Sequence, residues 1–67
     1  MKSVNLQLDH NNSLEITQLD DNLFEVRLGI NGSMSMYYMT RDQLENLEQL
    51  GTSHIPIETI RAKLLSD

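Results

Sequence analysis

The sequence predicts an α+β domain: a four-stranded antiparallel β-meander followed by two short α-helices packed on one face of the sheet, in the order ββββαα. Three observations lead to it. Apolar residues alternate with polar ones through four successive stretches between Val4 and Tyr38, the period of a strand with one buried face. Turn-forming residues separate those stretches at a spacing of ten, with Asn12, Asn22 and Gly32 closing the three connections. Beyond Thr40 the apolar spacing changes to that of a helix.

Taken in order, Val4, Leu6 and Leu8 mark the inward side of the first strand, with Asn5, Gln7 and Asp9 between them. Leu14 and Ile16 mark the second, Phe24, Val26, Leu28 and Ile30 the third, and Met34, Met36 and Tyr38 the fourth. The connections His10-Asn11-Asn12, Asp20-Asp21-Asn22 and Ile30-Asn31-Gly32 read as three-residue hairpin loops. Such loops commonly end in a left-handed residue, which Gly adopts freely and Asn tolerates.

Register tests these loops, because a slip of one residue turns every side chain to the other face. Three-residue loops set Leu8 opposite Leu14, Leu6 opposite Ile16, Ile16 opposite Val26 and Leu14 opposite Leu28. They also set Val26 opposite Met36 and Phe24 opposite Tyr38. A two-residue Asn31-Gly32 turn is the stronger short-range hairpin motif. It would bring Ser33, Ser35 and Tyr37 to the apolar face, so burial favours the longer loop. The expected core is Leu6, Leu8, Leu14, Ile16, Phe24, Val26, Leu28, Met36, Leu44, Leu47 and Ile60.

Thr40 with Gln43 three residues on forms a capping box, and Leu44, Leu47 and Leu50 then recur at helical spacing until Gly51. These signals predict a first helix over residues 41–50. Pro56 suits the first position of a second helix, with Ile57, Ile60 and Leu64 along one side and Arg61 and Lys63 near its negative end. Two helices after four strands supply the cover that a one-faced sheet needs.

With 67 residues and 39% hydrophobic content there is material for one small core and one domain. Lys and Arg number 5 against 10 Asp and Glu, a net charge of −5 that opposes binding to phosphate backbones. Cysteine is absent, which excludes disulfides, thiolate metal sites and thiol nucleophiles and fits a reducing, cytoplasmic setting. No apolar run is long enough for a membrane span and no signal-peptide pattern is present, so neither membrane nor secretion is expected.

Catalysis needs convergent groups, and the sequence offers few. His10 and His54 fall in predicted loops, and Asp9, Asp20 and Asp21 lack the spacing of a metal motif. Ser33, Ser35 and Ser53 have no base brought to them by any sequence feature. Neither enzymatic activity nor a cofactor or metal is expected. Asn11-Asn12-Ser13 and Asn31-Gly32-Ser33 match glycosylation acceptors but read more simply as turns. Tyr37 with Arg27 as its basic neighbour falls short of a base-stacking platform, which makes single-stranded nucleic acid the weakest reading.

Two surfaces remain for a partner. The expected register clusters Leu19, Leu23, Tyr37 and Met39 on the outer face near the second hairpin, an apolar patch of the kind that marks interfaces. On the first helix Asp42, Glu45 and Glu48 recur every three residues, an acidic face able to steer toward a basic surface. The chain therefore reads as a small, acidic, non-enzymatic protein-interaction module of inhibitor or adaptor type. The alternative is a self-associating protein that forms a homodimer through the outer face or a sheet edge. In its general look, tiny, acidic and cysteine-free, it resembles phage-encoded inhibitors of host or defence proteins, a resemblance of composition that assigns no role to any residue.

Overall fold

The computed structural model describes residues 2–47, 49–50 and 53–65. Four antiparallel strands, β1 (Ser3–Gln7), β2 (Asn12–Asp20), β3 (Leu23–Ile30) and β4 (Ser33–Met39), lie side by side in chain order. Helix α1 (Arg41–Glu45) follows, then the short antiparallel pair β5 (Gln49–Leu50) and β6 (Ser53–His54). Helix α2 (Ile57–Ile60) runs directly into a π-helical turn, Arg61–Leu65. The expected ββββαα order is present, with a small two-stranded insertion between the helices.

The core is the inner face of three strands under the helical layer. Val4, Leu14, Ile16, Phe24, Val26 and Leu28 are buried from the sheet side, and Leu44, Ile55, Ile60 and Leu64 close over them. Leu6, Leu8, Met39 and Leu47 pack partly buried against this cluster. Met36, expected in the core, is exposed on the opposite face. Ile55, in the predicted loop between the helices, is a core residue that no helical spacing revealed.

Each hairpin departs from its expected loop for a local reason. In the first, the Asp9 carboxylate accepts from the Asn11 N–H at 3.0 Å and from the Asn12 side-chain amide at 2.8 Å. This Asx turn starts the loop one residue early, and the Leu8 N–H donates to the Asn12 carbonyl at 2.9 Å. Leu6 therefore lies opposite Leu14 and Val4 opposite Ile16, a shift of two that preserves the faces. In the second hairpin β2 and β3 pair as expected through Ile16–Val26 and Leu14–Leu28, but a bulge at Leu19 places Asp20, not Leu19, opposite Leu23.

The third hairpin is a correction of greater consequence. It is the two-residue Asn31-Gly32 turn, with φ of 50° and 85°, the two positive values found among the described residues. Asn12 and Asn22 do not share this conformation, so the spacing of ten has no common backbone cause. Phe24 now pairs with Met39, Val26 with Tyr37 and Leu28 with Ser35. Met34, Met36 and Tyr38 accordingly lie on the outer face with Glu25, Arg27 and Gly29.

The first helix is also shorter than predicted. Its capping box forms, with Gln43 N–H donating to Thr40 Oγ1 at 3.3 Å and Thr40 N–H donating to Gln43 Oε1 at 2.9 Å. It then ends at Asn46, whose side-chain amide bonds back to the Asp42 carbonyl at 2.8 Å and competes with continued helix. The residues expected in its last turn instead include β5. Gly51, the expected helix stop, lies outside the described residues.

Replacing Val26 with Asp puts an unpaired charge into the fully buried inner face, at a cost of several kcal/mol. A domain of this size holds only about 3 to 5 kcal/mol. Val26→Asp is expected to lack a cooperative thermal transition by circular dichroism, and a native-like melt would contradict the core assignment. Gly32→Val, at φ 85°, should lower stability by about 1 to 2 kcal/mol in the same measurement without removing the transition.

Candidate interaction surface

The helical layer does not reach across the whole sheet. Helix α1 has five residues and touches the sheet at β3 and β4, while the π-helical turn lies over β1 at the other edge. Met39 packs against the core beside Phe24 and is the one residue of β4 that is not exposed. Ser33 to Tyr38 are all exposed. On the outer side Met34 is 68% exposed, Met36 52% and Tyr38 58%, and on the helical side Tyr37 is 41% exposed. An edge strand of seven residues with this side-chain content carries no charge at all.

The hydrogen-bond phase of that edge follows from the ladders. Gln18 N–H donates to the Lys2 carbonyl at 2.8 Å, Leu8 N–H to Asn12, and Asn31 N–H to the Asn11 carbonyl at 3.1 Å. Even-numbered residues of β2 therefore bond to β1 and odd-numbered ones to β3. The alternation continues through β3, so Ser33, Ser35, Tyr37 and Met39 spend their main-chain groups on it. The N–H and C=O of Met34, Met36 and Tyr38 point away from the sheet, along the open edge. Natural sheets commonly guard such edges with Lys, Pro or a bulge, and β4 has none of these.

The expected apolar patch is divided by the corrected register. Leu19 and Leu23 are exposed at the second-hairpin end of the sheet. Tyr37 and Met39, placed with them by the three-residue loop, lie on the helical side, Tyr37 exposed and Met39 half-buried. Met34, Met36 and Tyr38 take over the outer face. The signal that would have found them is the Asn31-Gly32 dipeptide, whose turn preference outweighs burial where neither face of the following strand is buried.

The acidic face is likewise reduced. Asp42 is exposed in the first turn of α1. Glu45 is half-buried at the helix end, and its carbonyl accepts from Arg61 at 3.2 Å. Arg61 also pairs with Glu58 at 2.8 Å. Glu48 lies outside the described residues.

The rest of the outer face is polar and internally engaged. Asn5, Gln7, Ser13, Glu15, Arg27 and Met34 border an open depression of about 400 Å³. Arg27 pairs with Glu25 at 2.8 Å and with Glu15 at 3.7 Å, while the Gln7 side-chain amide donates to the carbonyls of Asp9 and Asn12. Among the described residues, no group of three His, Cys, Asp or Glu side chains is placed to hold a metal ion. Among the described residues no helix is long and apolar enough to cross a membrane.

Comparison with protein-family models, with curated proteins and with solved structures returned no match.

Proline substitutions report the phase of β4 directly. Met36→Pro removes an N–H that takes no part in the sheet and should cost less than about 1 kcal/mol. Ser35→Pro removes the N–H that serves the Leu28 carbonyl and should cost about 2 kcal/mol or more. Chemical denaturation of the two variants checks this, and equal losses would contradict the assigned phase.

Proposed function

We propose that this chain is a small acidic protein-binding module that works without an active site and takes up its partner by strand addition along β4. The observation that carries the proposal is the edge itself: seven residues, uncharged, uncovered on both faces from Ser33 to Tyr38, with three residues presenting free main-chain groups. Strand addition uses such an edge for affinity and alternate side chains for specificity. Met34, Met36 and Tyr38 would supply the specificity on one face, and Tyr37 on the other. Thioether and aromatic side chains suit this role because they adapt to a partner surface while burying large apolar area.

A protein partner fits the charge better than a nucleic acid does. The net charge is −5, and Arg27, in the middle of the outer face, is already held by two carboxylates. The exposed Asp42, with Glu45 behind it, favours approach of a basic surface and would act on the rate of encounter more than on the final contact. An inhibitor or adaptor of this kind acts by occupying the edge or face of another protein.

For a partner isolated from the source cells, Met36→Pro should bind about tenfold more weakly, because the main-chain N–H that Met36 donates to the added strand is lost. Asp42→Lys with Glu45→Lys should slow association at low salt and leave the dissociation rate nearly unchanged. Surface plasmon resonance separates the two effects. Full affinity in Met36→Pro together with loss in the charge variant would move the binding surface to the acidic side of α1.

A further inference from the structure

The geometry of β4 points to its occupant, and we propose that it is β4 of a second copy of this chain. The two strands pair antiparallel about a two-fold axis at Met36. The inference rests on the strand-addition reading and names the strand that is added.

Main-chain phase is the first argument. A two-fold axis at Met36 sets Met36 opposite Met36 and Met34 opposite Tyr38 on each side. All of these residues have outward N–H and C=O groups, so three hydrogen-bonded pairs form in register with six bonds. A shift of one residue would set outward groups against groups already spent on β3. A shift of two would shorten the ladder.

Side chains agree with that register. On the outer face the pairs are Met36 with Met36 and Met34 with Tyr38, the latter a thioether beside a ring, a favourable contact. On the helical face Ser35 stands opposite Tyr37 and Ser33 opposite Met39, small against large, and Tyr37 fills the furrow between the two helical layers. No charge faces its own image across the axis, because β4 has none. Two copies at −5 each repel at long range, so an uncharged seam is where they can meet. The other edge is a poorer candidate, since β1 has five residues and lies under the π-helical turn. The product is a continuous eight-stranded antiparallel sheet with both helical layers on one side.

The full chain is to be followed by sedimentation from micromolar to millimolar concentration at low and high salt, with amide hydrogen exchange on the same samples. The expected result is a dimer that tightens as salt screens the net charge, in which the Met34, Met36 and Tyr38 amides become protected with concentration. Met36→Lys and Met36→Glu, both at an exposed position, should each remain folded and monomeric, and an equimolar mixture should recover the dimer as a heterodimer. Wild-type chain that stays monomeric at millimolar concentration would overturn the second copy as occupant and leave strand addition by a different protein. A dimer whose three outward amides exchange as fast as in the monomer would likewise overturn the second copy as the occupant of β4. Dimerisation of Met36→Lys alone, undiminished, would exclude the two-fold axis at Met36.

Discussion

The turn at Asn31-Gly32 decides how the fourth strand is used. Two consecutive residues with positive φ close the hairpin in two residues, and the pairing that follows sets Val26 beside Tyr37 and not beside Met36. With period-2 alternation there is no intermediate outcome: either Met34 and Met36 face the helices or they face away. Because they face away, β4 presents a row of Met34, Met36 and Tyr38 on the open side. The same closing pair sets which main-chain groups are spent within the sheet. Side-chain display and hydrogen-bond phase along the free edge therefore descend from one dipeptide.

Coverage is the second determinant. The chain after β4 builds a five-residue helix, a two-stranded pair and a four-residue helix that passes into a π-helical turn. This layer covers the inner face of β1 to β3 and reaches β4 only near Met39. Arg41 holds it in place at one corner. Its guanidinium lies 5.6 Å from the centroid of the Phe24 ring and donates to the carbonyls of Leu65 at 3.2 Å and Asp21 at 3.1 Å. Its N–H donates to the Asn22 side chain at 2.8 Å. One residue thus joins the start of α1, the β2–β3 turn and the C-terminal turn over the most deeply buried aromatic ring. A small domain with little apolar area to spare gains most from such a many-partnered contact where three segments meet.

These two determinants leave the sheet with unequal edges. At β1 the strand is short and the helical layer lies above it. At β4 the strand is long, uncharged and uncovered. Exposing such an edge carries a known risk of uncontrolled pairing, which sheets avoid with charges, prolines or bulges. Its retention here, beside an outer face on which Arg27 is engaged by Glu15 and Glu25, leaves the longer of the sheet's two edges uncharged and exposed.

Much of the fold was legible in the residues themselves. Alternation in β2 and β3, both buried on one side, identified Leu14, Ile16, Phe24, Val26 and Leu28 and their mutual register, because burial leaves one arrangement for a strand with one apolar face. Thr40 and Gln43 announced the start of α1, since a capping box is a local bond that needs no tertiary partner. Ile60 and Leu64 likewise emerged from helical spacing. The tertiary structure alone decided where burial stops. Sequence patterning treats every alternating stretch as one that will be covered, and under that premise Met34 and Met36 belonged inside and Ser33 and Ser35 outside. Because Ser33 to Tyr38 lie exposed beyond the helical layer, neither face of that stretch has a burial preference to enforce, and the turn chemistry of Asn31-Gly32 sets the register in its place. The exposed edge follows from that boundary, which is a property of how far a short layer extends across a sheet and not of any residue within the strand.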